Sequence, residues 1–345
     1  MGDHEQLDPE IAAHYASVSE QQRLGPWSPE RVRTWELLGR HLPPPPAVVL
    51  DVGGAAGVYA LPLAAQGYQV HLVDPLARHV QQALRASAEQ PDGPLASATV
   101  GDARQLDRPD ASVDAALLFG PLYHLTERAD RVRALVEARR VLRPGGVLAG
   151  AAISRFASTL DGPLRGYLDE PGFEAIVERD VREGQHRNPT GRPEWFTTAY
   201  FHLPEDLAQE VGEAGLRLHA VFAVEGPAWM LPDIERRLAD PAHRERLLVS
   251  RVTDSLRIRI GESPGQTAER RLRTATNQRC GTLDDCFRLG GWVFNGRRRP
   301  ASACRVRRSA SSTRSSLPGR AAAARLGPPR RVGCARRDVP SQAGP

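Results

Sequence analysis

The stretch Val48-Val49-Leu50-Asp51-Val52-Gly53-Gly54-Ala55-Ala56-Gly57-Val58-Tyr59-Ala60-Leu61 decides how the chain reads. A short β-branched run ends at Asp51-Val52, small residues follow, and apolar positions at Val58, Leu61 and Leu63 then take helical spacing: a strand, a tight turn and a helix. Small side chains let a ligand approach the backbone. The unpaired amides and positive dipole end of the helix favour a negative group there. Asp51 sets an acceptor beside the same loop, so one site can hold a carboxylate and an ammonium together, as an amino acid ligand requires.

Outward from this turn, strands alternate with helices. Tyr68 to Val73 reads as a strand closed by Asp74-Pro75, followed by a helix with a stripe at Leu76, His79, Val80 and Ala83. A weak third strand, Ser97 to Val100, ends at Gly101-Asp102-Ala103, and a fourth, Val113 to Phe119, runs into Gly120-Pro121-Leu122-Tyr123-His124. Thr126 is placed to cap a helix that Arg143-Pro144-Gly145-Gly146 turns into a fifth strand, Val147 to Ile153. Repeated strand and helix units with short connections predict a doubly wound, mostly parallel α/β sheet covered on both faces.

The flanks divide the chain into three. Residues 1–45 read as an N-terminal helical segment, with Ser28 and Pro29 opening its second helix; it either packs simply against the domain or forms a lid touching a ligand through Tyr15, Arg23 and Trp27. The domain proper spans residues 46–260, with an inserted cap over 154–203 that carries Arg155, Trp195, Tyr200 and His202. Within it, Pro204 to Ala214 reads as a helix, Leu216 to Val224 as a strand and 233–260 as charged helices.

From about residue 261 the periodicity dissolves into Arg, Ser, Pro, Gly and Ala, a composition that predicts disorder. Residues 261–345 hold 18 Arg against five acidic side chains, net +13, which leaves residues 1–260 at net −8. All four cysteines, Cys280, Cys286, Cys304 and Cys334, lie in that tail at spacings matching no common zinc or redox pattern, so no metal is expected. No convincing apolar strand appears over 255–275, and the abrupt change of composition suggests that residues from about 261 are out-of-frame or non-homologous, as a frameshift in a GC-rich gene would produce; if so, the sheet lacks its last strand and exposes an edge. Translating the other two frames tests that. No run approaches bilayer-spanning length and the N-terminus lacks signal-peptide features, so a cytoplasmic location is expected and no membrane partner.

Ligands of open parallel sheets bind at the carboxyl ends of the strands, near the reversal of strand order. Asp51, Asp74, Asp102 and Phe119 to His124 all fall at such ends. Asp74 is placed to accept from both hydroxyls of a ribose. Asp102 can accept from an exocyclic adenine amine while Ala103 donates its amide, or serve only as a loop carboxylate. Together these positions describe an adenosine carrying an amino acid. A nicotinamide dinucleotide is disfavoured, because its fingerprint requires glycine at the first, third and sixth places, where Gly53, Ala55 and Val58 or Gly54, Ala56 and Tyr59 stand.

The ordered set Leu-Asp-Val-Gly-Gly-Ala-Ala-Gly at 50–57, Val-Asp-Pro at 73–75, Gly-Asp-Ala at 101–103, Phe-Gly-Pro-Leu-Tyr-His-Leu at 119–125 and Val-Leu-Arg-Pro-Gly-Gly at 141–146 resembles the successive motifs of class I S-adenosylmethionine-dependent methyltransferases. The resemblance covers about residues 10–260 and is firmest over 46–153. It implies S-adenosyl-L-methionine as methyl donor, with Gly53, Gly54, Ala55 and Gly57 lining the methionine end beside Asp51. Asp74 would hold the ribose, Asp102 and Ala103 the adenine, and Phe119 and Gly120 would border the donor. Ala55 departs from the glycine common at its place.

For such a donor the reaction is an in-line methyl displacement that needs no metal, and a base only if the acceptor must lose a proton. His124 is the first candidate base, followed by Tyr123, His202 and Tyr200; His124 can equally help seat the next helix. Tyr15, Arg155, Trp195, Tyr200 and His202 are the candidate acceptor contacts, and Trp195, Tyr200 and Phe201 fit a cap core as well as an acceptor pocket. A small-molecule acceptor is expected. The alternatives are a donor-binding protein without turnover, or a nucleic-acid methyltransferase gripping phosphates with the basic tail. Against the last stand the acidic body, a tail without interleaved aromatics, and Phe119-Gly120-Pro121-Leu122 where amino-group nucleic-acid methyltransferases carry an Asn/Asp-Pro-Pro-aromatic signature. Sequence does not fix the oligomeric state.

Overall fold

The computed structural model describes residues 7–17, 25–249 and 292–298. The chain divides into two units, Met1–Ala301 and Ser302–Pro345, and every described residue belongs to the first. The expectations for Arg23, for the four cysteines, for the phosphate-gripping tail and for most of residues 261–345 lie outside the described residues.

Two helices open the described chain, α1 (Pro9–Ser17) and α2 (Pro29–His41), the second capped by Ser28, whose hydroxyl accepts from Arg31 N at 3.3 Å. The alternation follows: β1 (Val48–Val52), α3 (Ala60–Ala65), β2 (Gln69–Asp74), α4 (Ala77–Glu89), β3 (Ser97–Val100), β4 (Val113–Leu118), the single turn α5 (Pro121–His124), α6 (Arg128–Val141) and β5 (Leu142–Ser154). The cap contributes α7 (Ala157–Arg165), α8 (Phe173–Glu183), β6 (Gln185–His186) and β7 (Ala199–His202). Then come α9 (Pro204–Glu213), β8 (Leu216–Ala223), α10 (Ile234–Ala239), α11 (Pro241–Val249) and β9 (Trp292–Arg298). Among the described residues no helix is long and apolar enough to cross a membrane.

The sheet is doubly wound and mostly parallel. Strands run in the order β3-β2-β1-β4-β5, parallel throughout, so the chain reverses its direction of winding between β1 and β4. Alternation along the central strands feeds two cores. Leu50, Val52, Ala116 and Leu118 pack with α6 and α9 on one face, while Val49, Ala115 and Leu117 pack with α2, α3 and α4 on the other. Burial on both faces is why these strands read as near-continuous apolar runs.

Two expectations are corrected. The helix after β4 begins at Arg128 with Glu127 at its cap position, and Thr126 does not cap it; the Thr126 carbonyl instead accepts from Arg131 and from Gln185. The sheet also does not lack its last strand. β9 fills that place, antiparallel to β5 from Val147↔Arg297 to Ala152↔Trp292, and antiparallel to β8 on its other side. Its apolar run is only Trp292 to Phe294, set among Gly and Arg well beyond residue 275, too short to display a period of two.

The cap has a small core of its own, Phe173, Ile176 and Trp195. Beneath it lies a buried polar group: Asp180 accepts from Ser158 Oγ (2.5 Å) and His186 Nδ1 (2.9 Å), and His186 Nε2 faces the Trp195 carbonyl oxygen at 2.8 Å. β7 joins the cap to the sheet by pairing in parallel with the end of β5.

Candidate functional site

The carboxyl ends of β1, β2 and β4 meet where the winding reverses. After β1 the chain turns through Gly53 at φ 71°, Ala55 at φ 47° and Gly57 at φ 88°, three left-handed residues in five. Gly53 N donates to Val73 O at 2.7 Å, tying the turn to β2. A Cβ on Gly53 would stand 2.9 Å from Pro121 Cδ, and one on Gly54 2.7 Å from Asp51 Oδ2, so neither position has room for a side chain. Ala55 carries a methyl group in a conformation that costs an L-residue roughly 1–2 kcal/mol.

Asp74 organises the turn from the end of β2. Its Oδ2 accepts from Ala55 N at 2.9 Å, and its Oδ1 accepts from Leu76 N at 2.9 Å and from His79 Nδ1 at 3.1 Å. Asp51 is buried beside it with its Oδ2 lacking any hydrogen-bond partner among the described residues. Burial, and then the neighbouring Asp74 carboxylate, push the Asp51 carboxyl up to about 7. The outer nitrogen of His79, Nε2, is likewise buried and unpartnered. Two orphaned polar atoms therefore flank Asp74, and buried polar groups left unpaired call for a ligand. An ammonium suits Asp51 and a hydroxyl donor suits His79. His79 is the residue that sequence reading placed only as part of a buried helical stripe; its spacing five after Asp74 was the available signal.

At the end of β3, Asp102 accepts from Arg104 through both carboxylate oxygens, including Nη2 at 2.7 Å, and Arg104 continues to Asp130 at 3.0 Å. Burial opposes the charge on Asp102, but these bonds outweigh it and hold the carboxyl below its ordinary range. Ala103 beside it is buried. Beyond β4, Phe119 stands edge-on to Tyr59 at 5.0 Å, and a Cβ on Gly120 would lie 3.6 Å from Gly53 O and 4.0 Å from Tyr123 Oη.

Helix α1 crosses these strand ends. Tyr15 Oη lies 2.6 Å from His124 Nε2, and the Tyr15 ring stands edge-on to both His124 and His79. Glu10 accepts from Thr198 Oγ1, His14 meets Phe196 edge-on, and Arg78 donates to Ala16 O at 3.2 Å. The helix thus bridges the cap to the start of α4. Tyr15, Tyr123 and His124 are brought together at the β4 end.

The remaining acceptor candidates separate from that group. Trp195 is buried against Phe173 in the cap core. His202 is fully buried, with Nε2 3.3 Å from Glu210 Oε2, and burial lowers its proton affinity. Tyr200 lies with the Arg131 guanidinium 3.6 Å from its ring centre, and its hydroxyl accepts from Arg155, which also holds Asp206 at 2.9 Å. His202, Tyr200 and Arg155 knit β7, α6 and α9 together, while Trp195 belongs to the cap core. Among the described residues no three His, Cys, Asp or Glu side chains are grouped as metal ligands.

Residues 49–146 match the family described as methyltransferase domain. The chain is 41% identical over 112 residues to malonyl-[acyl-carrier protein] O-methyltransferase of Methylococcus capsulatus, covering 32% of this chain and 38% of that protein. It is 30% identical over 159 residues to a ubiquinone/menaquinone biosynthesis C-methyltransferase of Caulobacter vibrioides, covering 42% of this chain and 59% of that protein. The chain therefore spans between about two fifths and three fifths of these relatives' length. A solved S-adenosylmethionine-dependent methyltransferase from Methanosarcina mazei is similar over 76% of this chain and 97% of its own, at 18% identity and a TM-score of 0.48.

Proposed function

We propose that the protein, whose residues 49–146 match the methyltransferase-domain family, transfers a methyl group from S-adenosylmethionine to a small-molecule acceptor. The observation that carries this reading is the pair of orphaned polar atoms, Asp51 Oδ2 and His79 Nε2, set around Asp74 at a turn with no room for side chains at Gly53 and Gly54. In this reading Asp51 faces the donor's ammonium, and Gly53, Gly54, Ala55 and Gly57 admit its methionine end. Asp74 and His79 meet the ribose, Asp102 and Ala103 flank the adenine, and Phe119 with Gly120 closes the side toward β4. When bound, the donor supplies an activated methyl on a positively charged sulfur. The chain's own residues bind, orient and exclude water, and holding the reactants in line contributes up to about 7–11 kcal/mol in favourable cases.

His124 is the candidate base. It stands at the same strand ends, and its Nε2 lies 2.6 Å from the Tyr15 hydroxyl oxygen, the reach that a base requires. The relatives reported above are named for O-methylation of malonyl-[acyl-carrier protein] and for C-methylation in ubiquinone/menaquinone biosynthesis. They support a small acceptor over a nucleic acid.

Thermal shift with S-adenosylmethionine and S-adenosylhomocysteine is the direct test, followed by methyl-transfer assays. Both ligands should raise the melting temperature. A well-folded protein that shifts with neither overturns the reading, and a shift without turnover on any acceptor leaves a donor-binding protein in its place.

A further inference from the structure

The protein fills the face of its candidate base with a phenol from its own chain. His124 Nδ1 lies 3.4 Å from the Thr198 carbonyl oxygen, a long contact, and a carbonyl can only accept. On that assignment Nδ1 carries the proton, and the neutral ring turns the lone pair of Nε2 toward the Tyr15 hydroxyl, which donates to it at 2.6 Å. Around this pair the walls are aromatic. Tyr123 stands 4.6 Å and Phe196 5.9 Å from the His124 ring, and His79 5.9 Å from the Tyr15 ring.

Phe196 is held there under strain. Its φ of 65° and ψ of −171° fall in a region nearly confined to glycine, at a cost on the order of 1–3 kcal/mol. Asn188 Nδ2 donates to the Phe196 carbonyl at 2.7 Å and to the Arg192 carbonyl at 2.7 Å, fixing the loop. A bulky residue kept in that conformation, with its ring toward His124, points to a functional constraint.

We propose that the place occupied by the Tyr15 side chain is the acceptor subsite, and that the acceptor is an aromatic alcohol whose hydroxyl takes the position of Tyr15 Oη on His124 Nε2. This rests on the methyl-transfer reading and names its substrate class. A phenol matches the chemistry on three counts. Its ring suits the aromatic walls, and its hydroxyl donates to a lone pair. Its acidity, with a pKa of about 10, gives proton transfer to an imidazole base a larger driving force than an aliphatic alcohol does. A cationic amine is a poorer match, because the adjoining carboxylates are already engaged, Glu10 with Thr198 and Asp74 with Ala55, Leu76 and His79. In the reaction the acceptor oxygen passes its proton to His124 Nε2 and forms the bond to the methyl carbon. The electron pair of the broken carbon–sulfur bond stays on sulfur, and the imidazolium returns its proton to solvent. The acceptor enters as α1 withdraws Tyr15.

The test uses the full chain and, first, no donor at all. In Tyr15→Ala the vacated space should bind p-cresol at least tenfold more tightly than it binds toluene, and at least tenfold more tightly than wild type binds p-cresol, by calorimetry. Equal affinity for p-cresol and toluene, or no p-cresol binding to a variant that melts cooperatively, overturns the proposal. Should Tyr15→Ala fail to fold, Tyr15→Phe keeps the ring but releases His124, and p-cresol should bind at least threefold more tightly than to wild type; unchanged affinity overturns it.

With donor present, wild type should methylate catechol on oxygen. His124→Leu should lower kcat at least a hundredfold while the S-adenosylhomocysteine Kd changes less than threefold. Methylation of benzylamine and of no phenol overturns the proposal while leaving the methyl-transfer reading standing. A wild-type protein that shows no shift with S-adenosylhomocysteine overturns that reading instead, and the comparison of p-cresol with toluene still decides the subsite.

Discussion

Asp51 carries a carboxyl that the fold holds against its ordinary charge. Its carboxyl is lifted from 3.8 to about 7 by burial first and by Asp74 second. Between those two values the native state keeps a proton that the unfolded chain has released, so this contribution to stability falls as pH rises through that window. Above it, an ionised buried carboxylate remains, helped only by a backbone hydrogen bond at Ala60, a penalty on the order of 4 kcal/mol at about 1.4 kcal/mol per unit. Asp51→Asn should therefore be more stable than wild type at pH 8 by roughly 1–3 kcal/mol, with the gap narrowing toward pH 5. Denaturant unfolding at the two pH values measures it, and a gap that ignores pH would show that Asp51 is not the group responsible. Asp74 makes the complementary case. Asp74→Asn loses charged acceptance from the ribose and should weaken S-adenosylhomocysteine binding by at least about 1.5–3 kcal/mol. Unchanged affinity by calorimetry would mean the ribose lies elsewhere. The two aspartates were legible as strand-end acceptors because each follows a buried apolar run. Their mutual repulsion was not, since it depends on β1 and β2 being neighbours in register, Asp51 beside Leu72 and Val52 beside Val73.

At the scale of elements, the seat of His124 is fixed from behind by α6. Arg131, buried in that helix, donates to the carbonyls of Leu125 and Thr126, directly after His124, and to Glu210 of α9 at 2.7 Å. Burial opposes the charge on Glu210, but bonds from His202 and Arg131 outweigh it and hold its carboxyl below the ordinary range. Removing one partner of such a pair strands the other, so Glu210→Ala should cost about 3–5 kcal/mol, and Arg131→Met with Glu210→Met together should cost much less. Melting curves of the single and double variants decide it; equal losses would mean that volume, and not charge, is what matters there. Element existence was well signalled in this region, because β4 and β5 carry buried apolar runs and Gly120-Pro121 and Pro144-Gly145-Gly146 punctuate the chain there. What those elements bring together was not. Tyr15 and His124 are 109 residues apart, and nothing in either local pattern announces the contact. His79 failed for a related reason: a periodic stripe marks a position as inward-facing without saying whether the core meets it with carbon or with a carboxylate.

For the whole molecule, the decisive element is β9. It lies between β5 and β8, bonded along both edges, so β8, the strand that follows α9, joins the central sheet through it. Without it, β5 and β8 would each show an unpaired edge over apolar residues such as Leu148 and Val221, which are buried here. The sequence hid this strand because six residues of pairing need only three apolar ones when the neighbouring strands supply the core. Gly296 pairs with Leu148 on one side and Leu218 on the other, and a proline there would remove a ladder donor inside the sheet. Gly296→Pro should therefore destabilise the protein by about 3 kcal/mol or more, a loss visible as a lower melting temperature and as aggregation on heating. Ending the chain at Ala301 should leave melting unchanged, whereas ending it at Gly261 should reproduce or exceed the Gly296→Pro loss. If the chain ended at Gly261 melts as the full chain does, β9 contributes no pairing and the edge must be covered by other means.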